Sequence, residues 1–87
     1  MIVLLRKRNW DVVTDGSCVF SKANIAGYGD SYFGSFGYFE RYVRHYDLYD
    51  KLTDVGKGVY DIAKREVWIS DLKDKVKKYI AEVENKQ

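Results

Sequence analysis

"IVLLRKRNWDVVTDGSCVF", residues 2–20, contains three short apolar segments separated by polar ones, and it sets the class of the fold. Residues 2–5 form an apolar run that ends in charged residues, which is typical of a strand that starts buried and emerges into water. Residues 10–13 and 17–20 then flank a turn that contains Asp15 and Gly16. An Asp-Gly pair favours a tight hairpin because its turn needs positive φ. These segments predict an antiparallel meander.

The register of this hairpin follows from a short turn at its tip. A two-residue turn would place Val13 opposite Cys18 and Val12 opposite Val19. The residues that follow, 21–31, are mostly small or polar and show no sustained hydrophobic period. We therefore expect a loop at 21–31.

Two amphipathic helices are predicted further along the chain. Over residues 35–50, apolar side chains recur at helical spacing, at Phe36, Phe39, Val43 and Tyr46, and Tyr32 extends the pattern backwards. A second helix is expected over 70–84, with Ser70 as its N-cap and an apolar stripe formed by Leu72, Val76, Tyr79, Ile80 and Val83.

Residues 59–69 allow two interpretations. With Lys64 and Arg65 at the tip of a hairpin, Ile62 would face Val67 and Tyr60 would face Ile69, which separates the two faces cleanly. A helix would instead place Val59, Ile62, Ala63 and Val67 on one face. We predict the hairpin, preceded by a turn at 53–58. The whole chain, 1–87, is then a single α+β domain in which two helices cover a small antiparallel sheet.

Composition excludes several classes of function. Fifteen basic and thirteen acidic residues give a net charge of +2, which is too balanced for broad attraction to nucleic acid. The single cysteine cannot form an internal disulfide, and no apolar run reaches the roughly 18 residues of a membrane span. The first segment places its charges behind its apolar residues, the reverse of a secretory signal. We expect a cytoplasmic protein without a membrane anchor.

The potential metal ligands are sparse. One histidine and one cysteine cannot supply a zinc site. Asp47, Asp50 and Asp54 lack the spacing of a calcium-binding loop. We expect neither a metal nor a cofactor.

The segment "TDGSCVFSKANIAGYGD", residues 14–30, resembles the nucleophile segment of ovarian-tumour-type cysteine proteases. In that family an Asp-Gly-x-Cys-x-Phe motif opens a helix that a Tyr-Gly pair often closes, and the matching residues are Asp15, Gly16, Cys18, Phe20, Tyr28 and Gly29. His45-Tyr46-Asp47 is similar to the histidine motif of the same family. The resemblance implies a hydrolase in which Cys18 is the nucleophile and His45 the base, whereas the residues alone also fit a small buried hydrophobe at Cys18.

A second segment, "GSFGYFER" at 34–41, resembles the aromatic RNP1 strand of RNA-recognition motifs. Phe36, Gly37 and Tyr38 match that pattern. The resemblance implies exposed rings that stack on bases. A nucleic-acid interface would then combine stacked tyrosines with the basic residues Arg6, Lys7, Arg8, Arg41 and Arg44.

Aromatic residues are concentrated between residues 28 and 49, which contain nine of the fourteen in the chain. One helical stripe is enough to dock a helix, so other rings are left for an outward face. Tyrosine and arginine dominate binding hot spots. We therefore predict a non-catalytic protein that binds a partner, most plausibly another protein, similar in size and style to phage-encoded inhibitors such as anti-CRISPR proteins. The predicted partner-binding residues are Tyr38, Arg41, Tyr42, Arg44, His45 and Tyr49.

Overall fold

The computed structural model describes residues 2–23, 30–66 and 68–85. Four antiparallel strands pair in chain order, and the helices follow them, which confirms the α+β class. The strands are β1 (Ile2–Arg6), β2 (Trp10–Thr14), β3 (Val19–Ala23) and β4 (Asp30–Gly34). The helices are α1 (Phe36–Tyr46), α2 (Asp54–Arg65) and α3 (Ile69–Asn85), with a short 3₁₀ turn at Tyr49–Lys51 between α1 and α2.

The β2–β3 hairpin is present, but its predicted register is wrong by two residues. Val13 pairs with Phe20 rather than with Cys18. The cause is a longer loop that side chains stabilise: the Asp15 carboxylate accepts hydrogen bonds from the backbone N–H groups of Ser17, at 2.8 Å, and Cys18, at 3.1 Å. A shift of two residues keeps every side chain on its expected face, because side chains alternate with a period of two.

The loop expected at 21–31 is shorter than predicted. Residues Ser21 and Lys22 pair with Ser31 and Asp30 as parts of β3 and β4. Tyr32 lies in β4, edge-on to Phe20 with ring centroids 6.2 Å apart, so it does not extend the helix backwards. Pairing satisfies the backbone hydrogen-bonding groups of both segments. The segments therefore form strands although their sequences show little hydrophobic alternation. Residues 24–29, which include the Tyr-Gly pair of the protease-like segment, lie outside the described residues.

Helix α1 confirms the helical interpretation of the aromatic segment and contradicts the RNP1-like strand at 34–41. Ser35 caps it, since its hydroxyl oxygen accepts a hydrogen bond from the Tyr38 N–H at 3.2 Å. The helix stops at Tyr46, short of the predicted end at residue 50, because Asp47 adopts the left-handed conformation with φ of 54°. Phe36, Phe39 and Val43 are buried as predicted.

The predicted turn at 53–58 and hairpin at 59–69 are wrong, because most of this segment forms α2. The turn was predicted from Gly56 and Gly58, but in the structure these two glycines allow α2 to pack closely against its neighbours. A Cβ at Gly56 would lie 2.8 Å from the carbonyl carbon of Leu4 and closer still to its oxygen. A Cβ at Gly58 would lie 2.7 Å from Cε2 of Tyr79 and closer still to its Cζ and hydroxyl oxygen. Val67, which the hairpin would have used, lies outside the described residues.

Thr53 fastens the start of α2 to the edge strand β1. Its hydroxyl accepts a hydrogen bond from the Gly56 N–H at 3.0 Å, which caps the helix, and donates to the Val3 carbonyl at 2.7 Å. Its backbone N–H donates to the Leu4 carbonyl at 3.0 Å. The helix is therefore held against the sheet at its first residue.

Helix α3 agrees with the predicted 70–84 to within one residue at each end. Ser70 lies inside the first turn, since the helix begins at Ile69, and so it is not the N-cap. The core lies between the sheet and the three helices. It is formed by side chains from the sheet and from all three helices, among them Leu4, Leu5, Val12, Val19, Phe36, Phe39, Val43, Val59, Leu72, Val76 and Ile80.

Candidate functional site

An open groove of about 520 Å³ runs along the outer surface of α1, and we call it the Tyr/Arg groove. Five of the six predicted partner-binding residues line it, because positions three and four apart share one face of a helix. The lining residues are Tyr38, Arg41, Tyr42, Arg44, His45 and Tyr46.

An aromatic cluster supports the floor of the groove. Phe33 of β4 lies with its ring centroid 5.1 Å from that of Tyr42, edge-on at 85°, and 5.2 Å from that of Tyr38. Tyr42 in turn packs against Tyr46 at 4.9 Å, and Tyr46 packs against His45 at 4.6 Å. These tilted and edge-on contacts are the favoured geometries of aromatic pairs, so the rings hold one another in place.

Lys7 ties this cluster to the sheet. Its ammonium group donates a hydrogen bond to the Tyr42 hydroxyl at 2.6 Å and lies 4.7 Å from the centre of the Trp10 ring. A cation over an aromatic face is attracted by the ring quadrupole. The Lys7 ammonium group is therefore occupied by contacts within the protein, whereas its neighbours Arg6 and Arg8 are exposed.

The groove carries positive charge without an acidic side chain among the described residues that line it. Arg44 makes an ion pair with Glu40 at 3.7 Å, and Glu40 is nearly buried beneath it. Arg41 and His45 are exposed. An arginine guanidinium offers five donors in a fixed fork that fits a carboxylate. The groove is thus suited to a negatively charged surface.

Two tyrosines are placed differently from the expectation. Tyr49 does not line the groove: it packs edge-on against Tyr60 at 5.3 Å, and the Lys57 ammonium lies 5.6 Å from the centre of its ring. Tyr46, which the helical pattern assigned to the core, is 59% exposed and completes the groove. The signal that would have found Tyr46 is its spacing of four from Tyr42.

Cys18 and His45 lie in different places and share no hydrogen bond within the described part of the chain. Cys18 sits in the turn before β3, where the protease resemblance implies a helix start, and His45 packs against Tyr46 in the groove. A nucleophilic thiolate needs a base within hydrogen-bond reach. The hydrolase alternative therefore gains no support from this geometry.

A second cavity, of about 190 Å³, adjoins the Tyr/Arg groove and shares Arg41 with it. No sequence pattern pointed to it, because its wall combines residues from four separated segments. Its lining residues are Ser17, Cys18, Tyr32, Ser35, Phe36, Gly37, Arg41, Leu72 and Lys73.

Neither a metal-binding cluster nor a membrane-spanning helix occurs within residues 2–23, 30–66 and 68–85. In these ranges no three histidine, cysteine, aspartate or glutamate side chains cluster as a metal site would require. None of the helices described there has both the length and the apolar character needed to cross a membrane. Comparison with family models, curated proteins and solved structures finds no match to this chain.

Proposed function

We propose that this protein is a non-catalytic binding protein that engages another protein through the Tyr/Arg groove. The observation that carries the proposal is the groove itself: three tyrosines, two arginines and a histidine along one face of a single helix, with no acidic side chain among its described lining residues. Tyrosine and arginine are the residue types most enriched in binding hot spots.

Rigidity of the groove supports this role. The contacts of Phe33 with Tyr38 and Tyr42, and of Lys7 with Tyr42, fix the rings before any partner arrives. A surface that is ordered in advance loses less side-chain entropy on binding. Small proteins that bind in this way without catalysis can block their partner, as phage-encoded inhibitors of similar size do.

A protein partner is favoured over nucleic acid by the arrangement of the rings. Binding of single strands relies on aromatic faces that are free to stack on bases. The rings of Tyr42 and Tyr46 instead pack against each other and against Phe33 and His45. Exposed tyrosines beside guanidinium groups are suited to the carboxylates and carbonyls of a protein surface.

The test begins with affinity purification from the native host to identify a partner. Binding of the purified partner is then measured by biolayer interferometry for the wild-type protein and for Arg41→Ala and Tyr46→Ala. Each substitution should weaken binding by about 30-fold, the effect of losing a hot-spot side chain worth about 2 kcal/mol. Arg41 is exposed, so Arg41→Ala should leave thermal unfolding unchanged. Tyr46→Ala loses its ring contacts with Tyr42 and His45 and should lower the free energy of unfolding by about 1 kcal/mol.

Two controls match these substitutions. Arg65→Ala and Trp68→Ala remove an exposed arginine and an exposed aromatic ring outside the groove, and they should leave the affinity unchanged. Equal affinity of Arg41→Ala, Tyr46→Ala and wild type would refute the proposal. Tight binding of labelled single-stranded RNA that falls steeply between 50 and 200 mM salt would replace it with the nucleic-acid alternative.

A further inference from the structure

The second cavity has the walls of a small-molecule site. Phe36 and Leu72, both almost fully buried, form its apolar part, and Tyr32 flanks them. A dry engineered cavity of about 150 Å³ lined by apolar side chains holds a benzene molecule. At about 190 Å³, this cavity has room for one ring and a short substituent.

The polar part of the wall is positively charged. Arg41 comes from α1 and Lys73 from α3, and no acidic side chain is among the described residues that line the cavity. Neither cation makes an ion pair within the described ranges. Both side chains are exposed, and an anion placed between them would gain a charge-assisted hydrogen bond with each.

Asp15 interacts with Lys73 from outside the cavity. Its carboxylate is held by the Ser17 and Cys18 N–H groups, which lower its pKa, with a smaller contribution from Lys73. Asp15 does not line the cavity.

The first turn of α1 adds donors to the same wall. Ser35 caps the helix as an acceptor, so its own hydroxyl hydrogen is free to donate. Gly37 leaves the wall open there, since a Cβ at this position would meet only the Ser35 oxygen, at 3.8 Å. The positive end of the helix dipole favours an anion at this point.

We infer that this cavity binds a small organic carboxylate with a single ring or a short branched chain. The apolar group lies against Phe36 and Leu72, and the carboxylate lies between Arg41 and Lys73. This inference does not rest on the proposed function: Arg41 lines both sites, but Phe36, Leu72 and Lys73 do not line the Tyr/Arg groove.

The test uses phenylacetate as the probe, with phenethylamine and acetate as comparisons that reverse the charge or remove the ring. Amide chemical shifts of Cys18 and Gly37 are followed by NMR during titration. We expect saturable shifts with a Kd of about 1 mM, the scale for a ligand of ten heavy atoms. Phenethylamine and acetate should bind at least about tenfold more weakly, because phenethylamine lacks the carboxylate and acetate lacks the ring. Occupancy should also slow alkylation of the Cys18 thiol by iodoacetamide.

Matched lysine variants separate the site from general charge. Lys73→Ala should weaken phenylacetate binding about tenfold, whereas Lys77→Ala, an exposed lysine of the same helix outside the cavity, should not change it. Equal binding of phenylacetate and phenethylamine, or no effect of Lys73→Ala, would overturn the inference. Weaker partner capture by Lys73→Ala would also overturn it, because the cavity would then belong to the partner surface.

Discussion

Replacing Gly56 with alanine tests how α2 docks on the sheet. Alanine is the better helix former, so helix propensity alone predicts a gain of up to about 1 kcal/mol. The structure predicts the opposite sign. The new Cβ would lie 2.8 Å from the carbonyl carbon of Leu4, where non-bonded carbon atoms prefer about 3.5 to 4.0 Å. Because the obstructing atoms are backbone, a rotamer change cannot relieve the contact.

The loss of stability in Gly56→Ala follows from the displacement of α2 away from β1. Forcing an extra methyl group into a packed contact typically costs about 1 to 3 kcal/mol. Moving α2 away also stretches the two hydrogen bonds that Thr53 donates to the carbonyls of β1, each worth about 1 kcal/mol. After the propensity gain is subtracted, Gly56→Ala should lower the free energy of unfolding by about 3 kcal/mol. For a domain of this size that corresponds to a fall in Tm of about 12 to 24 °C.

The assay is urea unfolding followed by circular dichroism, with Gly37→Ala as the matched control. A Cβ at Gly37 meets only ordinary contact distances, so this helical glycine should tolerate alanine with a gain of about 0.5 kcal/mol. The two substitutions are chemically identical, and the expected effects have opposite signs. A Gly56→Ala protein as stable as the wild type would refute the close approach of α2 to β1.

Three further predictions concern the cap, the hairpin loop and the partly buried phenol of Tyr79. Thr53→Val should destabilise the fold by about 1 to 2 kcal/mol in urea unfolding through loss of the cap, whereas Thr53→Ser keeps the hydroxyl and should lose much less. The pKa of Asp15 is lowered by the N–H groups of Ser17 and Cys18, so its stabilising contribution is present above about pH 3.9 and is lost as the pH falls below that value. The stability difference between wild type and Asp15→Asn should therefore be larger at pH 6 than at pH 2, and a constant difference would contradict this. Burial, with smaller contributions from Asp54 and Asp61, raises the pKa of Tyr79, so the absorbance change at 295 nm that Tyr79→Phe removes should occur above about pH 10.

The elements with a clean hydrophobic period were predictable from sequence. The α3 stripe at Leu72, Val76 and Ile80 and the α1 stripe at Phe36, Phe39 and Val43 are both buried as the 3.6-residue period requires. For the same reason the outward face of α1 could be named before the structure was known.

The remaining errors come from interactions between distant residues. Gly56 and Gly58 were predicted to lie in a turn. The neighbouring sequence does not show that Leu4 packs against Gly56 or that Tyr79 packs against Gly58. Tyr46 was predicted to be a core residue because it continues the helical period. The period does not reveal that Asp47 adopts a left-handed conformation, which ends the helix at Tyr46. The cavity lined by Cys18, Phe36 and Lys73 joins segments that are far apart in the chain, so no local pattern could have predicted it.

The attachment of α2 to β1 also orders the steps of folding. Every strand pairs with its neighbour along the chain, so the meander closes through short loops, whereas the bond between Thr53 and Leu4 joins residues 49 positions apart. Loop-closure entropy makes such distant contacts the slow ones to form. A late-forming contact affects the unfolding rate more than the folding rate, so we expect a weakened Leu4–Thr53 junction to speed unfolding more than it slows folding.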